Sequence, residues 1–211
     1  MKKILIAVPY HERKKYCLDQ LYRSINNLST TTKKAGFEVE VLVRHDLNEF
    51  GAPDNVKKQR EFFRQQVLVN DHDYLFFHGA DTIPPADAIV KMINSGYGIL
   101  SGVYWQRGEN KAMNAIAWFG NDPDEKNIKM QDQFNNHSQI RVDGFGLDCV
   151  LISRSVLEQI SWFDWPVNDD DYPFCDKATE LGFELFIDTS IQCQHWDTPK
   201  SYSYNAKFFI H

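Results

Sequence analysis

The sequence predicts an α/β protein, and three features of its first 43 residues indicate this fold class. Residues Ile4–Val8 form an unbroken apolar run that ends at Pro9, which is typical of a strand buried on both faces of a sheet. Apolar residues then recur at helical spacing through Lys15–Lys34, and Gly36 ends this segment. Phe37–Val43 alternates like a second strand. A strand, a helix and a strand in this order begin an α/β fold.

The later elements follow from the same patterns. For the middle of the chain we expect a helix at Val56–Val69, a strand at Tyr74–His78, a helix from Pro84 to Asn94 and a strand at Gly98–Tyr104. Proline suits the first helical turn, because the amide hydrogen that it lacks has no partner there. Residues 105–140 are polar and indicate loops and short antiparallel strands. For the end we expect a strand at Val142–Ile152, a short helix capped by Ser153, a helix at Asp169–Leu181, and strands at Glu184–Ile187 and Ile191–His195.

Length and composition fit a single soluble domain. A chain of 211 residues with 43% hydrophobic residues can bury a core without disulfides or a structural metal, and bulk disorder is excluded. The net charge of −6 argues against non-specific nucleic-acid binding. Residues 1–70 carry 13 basic and 8 acidic side chains, whereas residues 71–211 carry 10 and 21. An acidic second part suits a divalent-cation site, although solvated surface charge would give the same imbalance.

The cysteines and the N-terminus indicate the compartment. The four cysteines stand far apart without a Cys-X-X-Cys pair, so neither a zinc site nor a redox dithiol is predicted. Cys149 and Cys193 lie in apolar runs and are expected in the core. The apolar run near the N-terminus is too short for a signal peptide, and no stretch approaches the ~20 apolar residues of a membrane span. We therefore expect a reduced, cytoplasmic protein without a transmembrane segment.

Acidic residues near the predicted strand ends are the first candidates for chemistry. Asp81 comes just after the third strand, and ligands bind at the carboxyl ends of strands in open α/β sheets. A carboxylate there suits Mg²⁺ or Mn²⁺ together with phosphate oxygens, although it would equally shape the turn. Asp71-His72-Asp73 has the spacing of a metal pair but precedes the strand, at the wrong end, which favours a solvated turn.

Three further segments have both a functional and a structural interpretation. Gly144-Phe145-Gly146 permits close approach of a ligand to the backbone, or marks a bulge. Adjacent carboxylates at Asp169-Asp170-Asp171 repel one another, which suits a general base, but acidic residues also stabilise a helix N-terminus. His195 ends the last strand as a metal ligand or as a structural residue. The motifs of serine hydrolases, zinc proteases, P-loop NTPases and dinucleotide-binding proteins are absent from the sequence.

The order of these segments resembles that of the GT-A class of nucleotide-sugar glycosyltransferases, particularly the family-2-like group. The metal motif Asp-X-Asp with following prolines is matched by Gly79-Ala80-Asp81 before Pro84-Pro85, and the Gly-X-Gly strand by Gly144–Gly146. The other matches, over residues 3–196, are Val8-Pro9-Tyr10-His11-Glu12 at the first strand, Gln59-Arg60-Glu61-Phe62, the acidic helix Asp170-Asp171-Tyr172-Pro173-Phe174-Cys175-Asp176-Lys177-Ala178, and Gln194-His195. Two positions depart from the pattern: Gly79 replaces the first metal-motif aspartate, and Asp170 replaces a glutamate.

The resemblance implies a single GT-A (Rossmann-like) domain with a mixed central sheet. Residues 1–104 would form its nucleotide-binding half and residues 105–211 its metal and acceptor half. Asp81 and His195 would hold Mn²⁺ or Mg²⁺, and Asp171 or Asp170 would be the general base of an inverting transfer. The nucleotide would contact Pro9, Tyr10, His11, Glu12, Asp46, Arg60 and Ala80, and the donor or acceptor sugar would contact Gly144, Phe145 and Gly146.

The implied activity is metal-dependent hexosyl transfer from a UDP- or GDP-sugar to a hydroxyl of a glycan, a lipid-linked acceptor or a protein, with no nucleic-acid partner. Two alternatives remain. A degenerate GT-A domain would bind a glycan or a partner without turnover, and Gly79 favours it. A sugar nucleotidyltransferase would need a glycine-rich basic loop after the first strand, where this chain has basic residues but no glycine.

Overall fold

The computed structural model describes residues 1–46, 53–104, 117–118, 139–165, 171–197 and 200–202. Its strands are β1 (Lys3–His11), β2 (Glu38–Asp46), β3 (Tyr74–His78), β4 (Thr82–Ile83), β5 (Ile99–Val103), β6 (Ala117–Trp118), β7 (Gln139–Val142), β8 (Gly144–Phe145), β9 (Cys149–Ser153), β10 (Leu185–Gln192), β11 (Gln194–Asp197) and β12 (Lys200–Tyr202). Its helices are a 3₁₀ helix (Glu12–Cys17), α1 (Leu18–Lys34), α2 (Pro53–Val69), α3 (Ala88–Ser95), α4 (Arg154–Leu157) and α5 (Asp171–Glu180).

Seven of the described strands form the central sheet, in the order β2-β1-β3-β9-β5-β10-β7. Strand β1 is parallel to β2 and β3, and β10 is parallel to β5. Strand β9 lies antiparallel between β3 and β5, and β7 runs antiparallel to β10. The α/β class and the mixed sheet are therefore confirmed. Two small sheets, β12-β11-β4 and β6-β8, accompany the central one.

The apolar run in β1 has a direct structural reason. Successive side chains of a strand point to opposite faces of the sheet, and both faces of this sheet are covered. Leu5 and Ala7 join a core that includes side chains of α2, α4 and α5. Ile4, Ile6 and Val8 join a second core with side chains of α1 and α3. Each fully buried Leu or Ile in these cores contributes about 1.5–3 kcal/mol to folding.

The N-terminal ends of several helices differ from the prediction, either in where the helix begins or in how it is capped. The first turn of the segment at Lys15–Lys34 is 3₁₀ helix, and α1 begins only at Leu18. The helix expected to open at Pro84 begins at Ala88, because Thr82–Ile83 pairs with β11 and a proline disfavours helical backbone in the residue before it. Ser153 occupies the N-cap position of α4, but its side chain makes no capping hydrogen bond.

The four cysteines lie in the interior of the described part of the chain. Cys149 and Cys193 belong to the core that α1 and α3 cover, as their apolar surroundings predict. Among the described helices, none combines the length and the apolar character that a membrane crossing requires.

Candidate active site at the carboxyl ends of the strands

Asp81 and His195 come together through the small three-stranded sheet. The Thr82 position of β4 is paired with His195 of β11, and the backbone carbonyl of Asp81 accepts a hydrogen bond from the amide of Trp196 at 2.8 Å. These contacts bring His195 Nε2 to 3.6 Å from Asp81 Oδ2, and both residues are buried. Two residues that are 114 positions apart in the sequence therefore form one polar centre, as the resemblance implies.

A third ligand-bearing residue, Asp148, completes this centre. One donor atom from each of Asp81, Asp148 and His195 lies within 4.8 Å of the other two. Asp148 stands directly before β9, and its amide donates a hydrogen bond to the hydroxyl oxygen of Tyr104 at 3.2 Å. The Tyr104 ring also packs edge-on against the His195 ring, with 5.4 Å between centroids. Two carboxylates and an imidazole form a donor set that suits a divalent cation such as Mn²⁺.

Asp148 is not among the ligands that the sequence predicts. Because β9 is antiparallel to β3, with Cys149 opposite His78, the start of β9 lies at the carboxyl end of β3. An aspartate just before a strand is therefore at the site edge here, whereas before a parallel strand it would be at the opposite edge. Only the orientation of β9 distinguishes the two cases.

Positive side chains surround the acidic centre. Lys14 lies in the 3₁₀ helix, and its ammonium group forms an ion pair with Asp81. The Tyr16 hydroxyl lies 3.3 Å from Asp81 Oδ2 and 3.1 Å from the carbonyl oxygen of Trp196. Partial burial raises the pKa of the Asp148 carboxyl, and the nearby Asp81 adds to this shift, whereas the Arg60 guanidinium opposes it. A cation bound beside Asp81 and Asp148 would therefore stabilise the ionised form of these carboxylates.

Arg60 connects three parts of the site from the middle of α2. Its buried guanidinium donates a hydrogen bond from Nη1 to the carbonyl of Leu147 at 3.1 Å, and its Nη2 lies 3.6 Å from Oδ1 of both Asp148 and Asp171. The guanidinium also lies over the Phe77 ring, 4.7 Å from its centroid. The amide of Leu147 donates to Asp171 Oδ1 at 3.1 Å. Arg60 thereby ties the turn before β9 to the first residue of α5.

The acidic centre opens on a cleft of about 260 Å³. Its lining residues are Pro9, Tyr10, His11, Arg13, Lys14, Val56, Gln59, Arg60, Ala80, Asp81 and Asp148. Five of the residues predicted to contact a nucleotide therefore share one cleft with Asp81. Arg13 and Lys14 are not among the predicted site residues, although they stand in a basic run just after β1. Arginine and lysine side chains near a cation site can bind a diphosphate group.

The other predicted site residues lie elsewhere. The Glu12 carboxylate lies 3.1 Å from His45 Nε2 and borders a second cleft of about 170 Å³, which shares Tyr10 with the first. Asp46 is the last residue of β2, but its side chain is outside the described residues, and Asp170 is outside them entirely. Gly144, Phe145 and Gly146 are buried, with Phe145 in the core against α5, and they are not among the residues lining the larger cleft.

No protein-family model matches the sequence, and no curated protein matches it either. Solved structures do match the fold. A197 from STIV is 18% identical, with a TM-score of 0.61, over 97% of this chain and 91% of the other. The catalytic domain of Drosophila β1,4-galactosyltransferase 7 in complex with xylobiose is 16% identical, with a TM-score of 0.52, over 89% of this chain and 65% of the other.

A mutant of the same Drosophila enzyme, in complex with manganese, UDP-Gal and xylobiose, is 15% identical, with a TM-score of 0.52, over 99% of this chain and 79% of the other. At such identities the similarity establishes the fold. The chain is an α/β protein with the mixed sheet of the GT-A fold, which confirms the predicted fold class.

Proposed function

We propose that this protein is a metal-dependent glycosyltransferase that moves a sugar from a nucleotide-diphosphate sugar to an acceptor hydroxyl. The observation that carries the proposal is the cluster of Asp81, Asp148 and His195, which opens on a cleft lined by basic side chains. The fold supports it, since the similar Drosophila galactosyltransferase was solved with manganese, UDP-Gal and xylobiose.

The donor set fits the metal that this function needs. Carboxylate oxygens and one imidazole nitrogen suit Mn²⁺ or Mg²⁺, and the described residues of the cluster include no soft thiolate that would favour another metal. Asp81, Asp148 and His195 would hold the cation. A cation bound there supplies Lewis-acid stabilisation of the nucleoside diphosphate as it leaves.

The chain's own residues would hold the donor in the larger cleft. Arg13 and Lys14 provide positive charge for the diphosphate, and Pro9, Tyr10 and Ala80 form walls against which the nucleoside can pack. Lys14 pairs with Asp81 in this structure, so it would leave that carboxylate in order to bind phosphate oxygens. Such an exchange of partners would explain why a lysine lies beside the carboxylates of the proposed metal site.

Asp171 is the proposed general base. Its Oδ1 accepts the hydrogen bond from the Leu147 amide and lies near the Arg60 guanidinium, so the carboxyl group has a fixed orientation. Its side chain is 30% exposed, which leaves room for an acceptor hydroxyl to approach. A positioned carboxylate can remove the proton of the attacking hydroxyl, and attack from the face opposite the leaving diphosphate would invert the anomeric centre.

The test is a donor screen with a matched pair of variants. The purified protein is incubated with UDP- and GDP-hexoses and Mn²⁺, and the released UDP or GDP is measured with and without added glycan acceptors. We expect nucleotide release with one donor, its loss on chelation of the metal, and its loss in Asp81→Asn. The control Asp176→Asn changes an exposed carboxylate of α5 and should retain activity.

Three results would contradict the proposal. Absence of both nucleotide release and a Mn²⁺-dependent thermal shift with every donor would refute it. Pyrophosphate release from a nucleoside triphosphate and a sugar phosphate would identify a nucleotidyltransferase instead. Glycan binding that persists in Asp81→Asn, in a parent protein without turnover, would identify a binding domain.

A further inference from the structure

Asp148 lies where a side chain of residue 79 would lie. A Cβ atom built on Gly79 would be 2.6 Å from both Cβ and Cγ of Asp148 and 3.0 Å from its Oδ1. The two separations of 2.6 Å are shorter than real Cβ contacts, so position 79 could carry a side chain beside Asp148 only if the Asp148 side chain or the backbone shifted. The glycine that replaces the first aspartate of the metal motif is therefore the residue that admits the Asp148 carboxylate.

From this geometry we infer that Asp148, which the proposed function uses as a ligand, occupies the place of the carboxylate that position 79 lacks, and that glycine at position 79 is what permits this direct ligand. Gly79 and Asp148 would then be a coupled pair, in which the acidic group has moved from the end of β3 to the start of β9. The inference rests on the metal site of the proposed function and adds how one of its ligands depends on the residue at position 79.

The pairing of β3 with β9 explains why the exchange is possible. His78 is opposite Cys149, and the Gly79 amide donates a hydrogen bond to the Asp148 carbonyl at 2.7 Å, so the two residues face each other across the ladder. Side chains at opposite positions of an antiparallel pair project from the same face, with Cβ atoms about 4.5–5.5 Å apart. Gly79 and Asp148 lie just beyond the paired residues of β3 and β9, and a Cβ atom on Gly79 would be only 2.6 Å from the Asp148 Cβ, so the place has room for one side chain. A carboxylate from either strand can thus reach the same place.

The contacts of Asp148 suit a ligand rather than a residue that only fills space. Its main chain is held by Gly79 and by the Tyr104 hydroxyl, and its Oδ1 lies 3.6 Å from Arg60 Nη2. Its side chain remains 32% exposed and borders the cleft. A group that is fixed on one side and open on the other is prepared to bind an ion.

The test is a reciprocal exchange with Mn²⁺ binding as the readout. Free Mn²⁺ is followed by electron paramagnetic resonance, with the metal alone and with UDP, in Asp148→Gly, Gly79→Asp and the double variant. We expect Asp148→Gly to weaken Mn²⁺ binding at least about 10-fold, since even residues that only support ligands contribute about that much. The double variant should recover most of the loss, because the carboxylate returns from β3. Asp176→Asn is the control and should bind like the parent.

A conservative variant decides the question if the double variant does not fold. Asp148→Asn keeps the shape of the side chain and removes its charge, so a similar loss of Mn²⁺ affinity supports the inference. Affinity equal to the parent's in Asp148→Asn overturns it, as does a folded double variant that binds no better than Asp148→Gly. A parent protein that binds no Mn²⁺ in either condition also overturns it.

Failure of the function and failure of this inference give different results. Binding of Mn²⁺ that depends on Asp148, in a protein that releases pyrophosphate from a nucleoside triphosphate and a sugar phosphate instead of UDP or GDP from a nucleotide sugar, would refute the glycosyltransferase and leave the ligand assignment intact. Mn²⁺-dependent transfer in a protein whose Mn²⁺ affinity is unchanged by Asp148→Asn would refute the assignment and leave the function intact.

Discussion

Replacing Arg60 with methionine removes the buried cation that joins α2 to the turn before β9 and to α5. The guanidinium is only 3% exposed and lies 3.6 Å from carboxylates of both Asp148 and Asp171. Removing one partner of a buried ion pair costs about 3–5 kcal/mol, because the remaining charge is left without compensation. These two carboxylates are about one-third exposed, so water replaces part of the lost interaction and we expect a value near the lower end.

The expected loss for Arg60→Met is therefore about 3 kcal/mol, which for a domain of this size corresponds to about 6–12 °C in melting temperature. Urea denaturation followed by circular dichroism measures the free energy of unfolding, and a thermal melt gives the second value. Arg141→Met is the matched control, since Arg141 is 67% exposed and pairs with Glu184 at the surface. Such a pair contributes about 0–1 kcal/mol.

A double-mutant cycle separates the ion pair from the packing of the arginine stem. Arg60→Met combined with Asp148→Asn should destabilise the protein by less than the sum of the single changes, with a coupling energy of about 1 kcal/mol or more. The reasoning fails if Arg60→Met unfolds at the same urea concentration as Arg141→Met. It also fails if the single changes of the cycle are simply additive.

Three further predictions concern the metal centre, pH and packing. Lys14→Met should strengthen Mn²⁺ binding in the absence of nucleotide, because the ammonium no longer competes for Asp81. It should weaken UDP binding, and calorimetry measures both affinities. A Mn²⁺ affinity equal to that of the parent protein would contradict this prediction. Burial lowers the pKa of His78 from 6.5 to about 4. Between these pH values the unfolded chain binds a proton that the folded protein does not, so the free energy of unfolding should fall by about 3 kcal/mol as the pH is lowered through this range. His78→Gln should remove this pH dependence when the free energy of unfolding is measured with urea. Gly102→Ala should cost about 1–3 kcal/mol, since its Cβ would meet atoms at 2.7–3.0 Å, whereas Gly98→Ala, with 3.4 Å, should be nearly neutral in the same assay.

The sequence by itself determined the fold class and one edge of the site. Apolar runs and helical periodicity are local properties, and they are sufficient to place β1, α1, β2 and β3 in an α/β order. Asp81 and His195 were predicted as ligands from the ends of strands and from the resemblance, and the structure brings them to 3.6 Å. Whether they bind a cation stays a prediction.

The tertiary structure decided the rest of the site, because each remaining feature depends on a contact between distant segments. The late start of α3 follows from the pairing of β4 with β11, which no local pattern around Pro84 reveals. The Lys14 ion pair joins the 3₁₀ helix that follows β1 to Asp81, 67 positions further along the chain. Arg60 was predicted to contact a nucleotide, and its place among two carboxylates appears only when α5 and the turn before β9 meet α2.

Gly79 and Asp148 show most clearly the difference between what the sequence determines and what only the tertiary structure decides. In the sequence, Gly79 stands where the GT-A resemblance implies an aspartate, and Asp148 is an acidic residue 69 positions away. The sequence does not state the direction of β9, since a short apolar strand has the same pattern in either orientation. The antiparallel insertion of β9 beside β3 brings the Asp148 carboxylate into the space that a side chain at position 79 would fill.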